Sequence, residues 1–462
     1  MSKFMLMSDN NDKYVLGSNV PRMRICEIKF VKINMSQVPD KAWDVSADKN
    51  GTIWAWVDEY TLKIGAEGEI YANPDCSQLF SKYRNLQEIE FNDMFNTTYV
   101  ANMSDMFSWC EELRELDVAG FDTAHVVNMS SMFKWCLNLR ELDVTGFDTA
   151  RVVDMSGMFC GCESLEELNI AGFDTARVTN MSGMFNRCGN FRKLDVAGFD
   201  TACVEDMSNM FRGCGSLEEL DVTGFDTARV VDMSSIFSEC STLKELDVTG
   251  FDTACVTNMQ EMFSLCLTLE KLDITGFNTA RVKDMSFMFI YCSALKELDM
   301  TGFDTACVTN MQEMFSECSA LEKLDVTGFD TARVTNMSGM FRGCGALKKL
   351  DVAGFDTARV KDMSGMFSEC RVLEKLDVTG FDTACVTDMR EMFNECSALK
   401  KLDITGFDTT CVENMISMFY GCESLEELEG SNVVNNCLTD KVLIFDGCKK
   451  LVLNVTDKSE EY

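Results

Sequence analysis

The chain has 462 residues, 75 of them acidic and 42 basic, for a formal charge of −33. That balance argues against a nucleic-acid binder, which needs clustered Lys and Arg on phosphates, and it disfavours docking on anionic membranes. A hydrophobic content of 46% supports a large core rather than a disordered acidic tail, and one histidine, His125, would have to serve any Ser-His-Asp or Cys-His triad and any His-rich metal site.

The opening Met1-Ser2-Lys3 is followed only by Phe4 to Met7 before Ser8 and Asp9, too short an apolar stretch for a secretory leader. No stretch approaches the roughly 18 apolar residues of a membrane span. The chain therefore reads as soluble and cytoplasmic, or as a mature form that has lost its leader. The 23 cysteines, an odd number, fit reduced thiols better than a complete disulfide framework.

Residues 1–90 stand apart, and all three prolines lie there (Pro21, Pro39, Pro74). A hairpin is predicted over 51–72. Ile53, Trp54, Trp56 and Val57 make one β-rich run, and Leu62 to Ile64 with Ile70 and Tyr71 flank a Gly65–Gly68 turn. This segment is expected to cap the first coil of a repeat array, the alternative being a separate binding module.

From Leu116 to Leu428 a leucine recurs every 26 residues at 13 consecutive sites, and a cysteine recurs from Cys110 to Cys448. A degenerate unit covers Phe91 to Cys110, and a half unit, Phe445 to Cys448, closes the array. Residues 91–448 thus read as a solenoid of about fourteen repeats, with a tail over 449–462. Within one unit, Leu324 and Val326 alternate with Asp325, as in a short strand with one buried face. Met337, Met340, Phe341 and Cys344 come next at i, i+3, i+4, i+7, which predicts a helix of two turns. The Asn or Asp before the first Met, from Asn102 to Asn414, is expected to be its N-cap. The Gly column from Gly120 to Gly406 implies a turn with positive φ or a close contact between coils. One coil cannot bury enough apolar surface to fold alone, so the coils must stack. At about 4.8 Å per coil the array would extend about 65 Å. The expected fold is an α/β leucine-rich-repeat-like solenoid, a parallel sheet on one side and short helices on the other, with an N-terminal β-rich cap. The alternative is a β-solenoid whose Met-Phe segment is not helical.

The unit LDVTGFDTARVTNMSGMFRGCGALKK resembles the 26-residue repeat of BspA-type bacterial surface proteins, also found in mycoplasmas. Trp43 to Ala47, Gly51 to Val57 and Ile64 to Gly68 resemble the segment that often precedes such repeats. The resemblance implies a non-enzymatic, cell-surface or secreted protein engaged in adhesion to host proteins and other cells. No cofactor is expected.

Several columns invite a chemical role. The Asp after the repeat Leu runs from Asp117 to Asp403, with Asn169 the exception, and points away from the core. Stacked copies would repel by roughly 1 kcal/mol per pair even in bulk water, which flanking Lys or Arg are expected to offset. Lys323, Lys349, Lys375 and Lys401 precede the later Asp residues, whereas Glu115, Glu141, Glu167, Glu219 and Glu245 precede the earlier ones. The candidate partner-binding residues are Glu115, Asp117, Glu141, Asp143, Glu219, Asp221, Glu245 and Asp247, as a docking strip for a basic protein or a host protein. The alternatives are a solvated acidic face that keeps the rod soluble, or divalent-cation binding, for which no EF-hand or glycine-aspartate repeat is visible.

The Cys ladder reads as a small buried hydrophobe, with Cys160-Gly161-Cys162, helped by Cys136 or Cys188, the one conceivable zinc site. A second column alternates Arg with Cys, as in Arg359, Cys385, Cys411 and Cys437, and is expected to be exposed, with free or crosslinking thiols. The Asn-x-Ser/Thr sites at Asn96, Asn128 and Asn454 read as caps or loops. The leading expectation is a non-catalytic interaction or adhesion protein. A cytoplasmic scaffold or sensor with reduced thiols is the alternative, and its oligomeric state is open.

Overall fold

The computed structural model describes residues 4–6, 13–430 and 444–451. The chain divides into two compact units, one of residues 1–230 with 239–243, the other of residues 231–238 with 244–462. Cys437, Asn454 and most of the expected tail lie outside the described residues.

The first unit opens with strands β1 (Glu27–Lys32), β2 (Trp43–Asp44), β3 (Trp54–Asp58), β4 (Thr61–Ala66), β5 (Ile70–Tyr71), β6 (Glu88–Glu90) and β7 (Phe95–Asn96). Five of them form one sheet in the order β2-β3-β4-β1-β6. In β1, Ile28 and Phe30 are buried while Glu27 and Lys29 are not, the alternation of a strand with one covered face. The expected hairpin is present as β3 against β4. Its turn is at Glu59, held at φ 54°, and not at Gly65–Gly68. Gly65 is instead inside β4, packed against Ile33 and Trp56 where a Cβ would meet atoms at 2.8–3.1 Å. Ile70 and Tyr71 leave that hairpin and pair in parallel with Phe95 and Asn96. Arg22, 1% exposed in the turn Arg22–Arg24 ahead of β1, donates to the carbonyls of Tyr14 (2.8 Å) and Ser81 (2.6 Å) and lies over the Tyr83 ring, tying that turn to a segment whose Phe80 and Lys82 amides bond to Met106 and Ser108 of the next coil.

In each unit the repeats stack as parallel coils with two rows of β pairing. One row lies beside the repeat Leu, as in Glu115 to Glu141 in the first unit and Lys349 to Lys375 in the second. Four positions of that row in the second unit are long enough to be strands, β8 (Glu297–Leu298), β9 (Lys323–Leu324), β10 (Lys401–Asp403) and β11 (Glu427–Glu429). The other row is the Asn/Asp column, paired from Asn102 to Asp206 in the first unit and from Asp232 to Asn414 in the second.

The expected helix is absent: residues 91–429 contain none. The Met-Phe segment is a chain of four-residue turns, Met340 amide to Met337 carbonyl at 3.2 Å and Cys344 to Phe341 at 3.2 Å. Every second amide reaches the next coil instead, Met337 to Asp362 at 3.0 Å, Gly339 to Ser364 at 2.7 Å, Phe341 to Met366 at 2.9 Å and Gly343 to Ser368 at 2.8 Å. A helix would keep all of these bonds inside one coil. Positive φ at Gly339 (60°) and Gly343 (69°) breaks helical geometry twice per turn of the solenoid. The spacing i, i+3, i+4, i+7 suits such turns as well as it suits a helix, so periodicity could not separate them. The Asn column is correspondingly no helix cap. Asn336 Oδ1 accepts from the Ser338 amide at 2.9 Å, an Asx turn that also carries a β bridge.

The column from Gly120 to Gly406 does not supply the positive φ. At Gly302 and Gly380 it faces a carbonyl of the preceding coil, 3.2 and 3.4 Å from where a Cβ would sit, whereas Gly120 and Gly328 face open space. The core is a dry stripe through each unit, with Cys214 and Met337 at 0% and Phe355 at 4% exposure. Its Phe rings stack nearly parallel, Phe133 on Phe159 at 5.7 Å in the first unit and Phe341 on Phe367 at 5.8 Å in the second.

Candidate functional site

The candidate residues lie on the row beside the repeat Leu. Leu142 and Val144 are buried, Glu141, Asp143 and Thr145 exposed, and the same alternation holds around Asp117, Asp221 and Asp247. The Asp and Glu columns differ in what holds them. Asp143 Oδ1 accepts from the Thr145 amide at 2.9 Å and from its hydroxyl at 2.6 Å, and Asp221 and Asp325 do the same with Thr223 and Thr327. These bonds favour the charged form, so Asp143, Asp221 and Asp325 sit below the ordinary carboxylate range. Asn169, the exception in the column, makes the same turn to Ala171 at 3.3 Å.

Asp is thus a turn former here, and of the Lys residues expected to offset it Lys323 and Lys401 engage the Glu row instead, while Lys349 and Lys375 are bridge neighbours of each other. Lys193 meets Glu219 at 3.2 Å, Lys323 meets Glu297 at 2.5 Å and Lys401 meets Glu427 at 2.6 Å, all across coils. In the first unit Glu115 and Glu141 are direct neighbours of like charge.

The eight candidates do not converge on one site. Asp117 lines a cleft of about 510 Å³ with Glu88, Glu90, Asp93 and Asp122. In the second unit Glu245 and Asp247 line an open groove of about 840 Å³ with Lys271, Asp273, Lys296 and Glu297. Among the described residues no group of three or more His, Cys, Asp or Glu could hold a metal ion. Cys136, Cys162 and Cys188 each donate the thiol proton to a Phe carbonyl one coil back, at 3.2, 3.3 and 3.2 Å.

Two features escape a reading of the apolar periodicity. The first is the Thr of each Phe-Asp-Thr. Thr149 is 1% exposed, donates to the Asp174 carbonyl at 2.9 Å and accepts from the Asp174 amide at 2.8 Å. Its signal is present in the sequence: the residue is Thr in every unit from Thr123 to Thr409, whereas the Asp before it gives way to Asn278 and the Ala after it to Thr410. The second is Trp109 on Trp135, rings 5.4 Å apart, with Arg84 over one and Arg187 over the other. Both Trp residues take positive φ (62° and 61°), a conformation bulky side chains rarely adopt. The Arg/Cys column is on the outside as expected, with Cys385 and Cys411 exposed and Cys203, Cys255 and Cys307 half-buried.

The family described as "Mycoplasma protein of unknown function, DUF285" matches residues 74–192, 136–242, 214–323, 266–351, 292–376 and 335–457, together most of the chain. The chain belongs to this mycoplasma repeat family. The resemblance drawn from the 26-residue unit, to a repeat also found in mycoplasmas, is therefore borne out. Its fold is similar to that of a leucine-rich repeat protein from Bacteroides ovatus ATCC 8483, at 18% identity over 75% of this chain and 81% of that one, with a TM-score of 0.44. It is also similar to a leucine rich cell surface protein from Faecalibacterium prausnitzii A2-165, at 15% identity over 88% and 97% of the two chains, with a TM-score of 0.36. The TLR13–ssRNA13 complex gives 14% identity over 80% and 69%, with a TM-score of 0.22. At these scores the likeness carries no function across. A comparison with curated proteins returns no match.

Proposed function

We propose that this DUF285 member is a non-catalytic protein-binding repeat protein, acting in adhesion, whose row beside the repeat Leu docks a basic partner. The observation that carries this reading is the division of labour on that face. The Asp carboxylates are held charged by their own turns, while Glu115 and Glu141 stand exposed side by side with no such local duty. A row of fixed negative charge steers and orients a cationic partner. The N-terminal segment serves as the cap, a role supported by Arg22, just ahead of β1, donating to the Ser81 carbonyl of the segment stacked on the coils.

A lysine-rich peptide is the probe. The full chain binds it at low salt and releases it as screening rises, and the triple variant Glu115→Lys, Glu141→Lys, Glu219→Lys loses the binding. Equal binding by the wild type and the triple variant, or binding indifferent to salt, refutes the docking strip.

A second reading, a scaffold in a reducing compartment, is favoured by the Cys column. Each thiol there donates its proton to a carbonyl, as Cys214 does to Phe185 at 3.2 Å, and that bond needs the reduced form. Fractionation of the native host decides between the readings: protein confined to the cytosol rules out adhesion.

A further inference from the structure

The column of buried thiols ends differently from the way it runs. Cys370 and Cys396 donate to the carbonyls of Phe341 and Phe367, each at 3.1 Å, and both are sealed from water. Cys422 keeps this arrangement, bonded to Phe393 at 3.1 Å and fully buried. Cys448 keeps the bond, to Phe419 at 3.0 Å, but is only partly covered.

The segment Ile444–Leu451 sits in register on the coil before it. The Phe419 amide donates to the Ile444 carbonyl at 3.0 Å and the Gly421 amide to the Asp446 carbonyl at 2.8 Å. The Phe445 ring stacks on Phe419 at 5.4 Å. That register sets Cys448 one coil beyond Cys422, each thiol bonded to the Phe carbonyl of the coil before it. Two cysteines at matching positions on coils about 4.8 Å apart fall within the Cα separation that a disulfide spans, and Cys448 is reachable from solvent.

We propose that Cys422 and Cys448 form a redox-responsive disulfide that clips Ile444–Leu451 onto the preceding coil. Cys448 is the attacking sulfur. Of the pair it alone is reachable from solvent, whereas Cys422 is fully buried. With a small-molecule disulfide as oxidant, the Cys448 thiolate attacks one sulfur and expels one thiolate, leaving a mixed disulfide. Cys422 then gives up its proton and displaces the second thiolate. The protein loses two S–H bonds and gains one S–S bond, and the oxidant's S–S bond becomes two thiols. Deeper thiols of the column, such as Cys396, have no access to the oxidant, which confines the reaction to this end of the ladder.

The experiment treats the full native chain with oxidised glutathione, blocks free thiols, and digests with trypsin and a glutamate-specific protease. This separates Asn414–Glu423, which holds Cys422, from Val442–Lys449, which holds Cys448. The expected product is these two peptides joined, two hydrogens lighter than their sum and reversed by dithiothreitol. Native maleimide labelling of Cys448 is lost in parallel. Cys448→Ser abolishes the joined species and leaves labelling of Cys385 unchanged. The proposal is overturned if Cys448 labels equally before and after oxidation, or if the linkage found joins Cys385 to Cys411 or involves Cys437 in its place.

Discussion

The Thr123 hydroxyl holds the backbone of Asp148 from both sides, donating to its carbonyl at 3.0 Å and accepting from its amide at 2.8 Å. One buried oxygen therefore satisfies a donor and an acceptor of the neighbouring coil at the corner where the β rows do not reach. A Thr149→Val variant keeps the shape and takes the hydroxyl partner from the Asp174 amide and carbonyl. It is expected to lose about 1–3 kcal/mol of stability, read as a lower urea midpoint. A Thr149→Ser variant, which keeps the hydroxyl, should lose less. Equal losses for Val and Ser would contradict the clamp.

Gly161 takes φ 77°, and a Cβ there would lie 2.6 Å from the Trp135 ring. Gly161→Ala meets both a strained backbone and an aromatic wall, so destabilisation of about 1–3 kcal/mol is expected. Because Trp135 stacks on Trp109, the same variant should shift tryptophan emission. An unchanged spectrum and unchanged melting would place that ring elsewhere.

Thiol reactivity should fall into two classes. Burial pushes the Cys214 and Cys136 thiols up to about 12, whereas Cys385 and Cys411 are open to solvent. A disulfide reagent added to native protein should label Cys385 and Cys411 promptly and reach Cys214 only after unfolding. Labelling of Cys214 at the rate of Cys385 would mean that the core stripe is not dry.

Acid should act on the Asp turns. Asp325 lies below the ordinary aspartate value, first because the Thr327 hydroxyl donates to it and then because the Thr327 amide does. A depressed folded-state value contributes stability that is complete above the unfolded pKa and disappears as pH falls through the folded one. A carboxyl-carbon titration should find Asp325 more acidic than a free aspartate, and Thr327→Ala should move it back towards the ordinary value. Asp325→Asn should preserve the turn, as Asn169 does in its own coil, while Asp325→Ala should not. If Thr327→Ala leaves the Asp325 titration where it was, the hydroxyl is not its partner.

Much of this was legible in the residues. The 26-residue recurrence, the burial of Leu142 and Val144 against the exposure of Asp143, and the dry Met, Phe and Cys columns all follow from where apolar side chains repeat. Hydrophobic position is a property of sequence, and stacking is the only way such short units can hide it. The internal repetition also named the family. The role of Thr149 was hidden because a polar residue in a turn-rich stretch looks solvated, and only the neighbouring coil turns it inward.

What the tertiary structure alone decided is where the backbone bonds go. Met337, Met340, Phe341 and Cys344 would face one core as a helix or as linked turns, and the pattern does not distinguish them. The choice rests on Met337 and Phe341 giving their amides to Asp362 and Met366 of the next coil. That gain exists only once a second coil lies alongside, so it belongs to the stack and to no single unit of the chain.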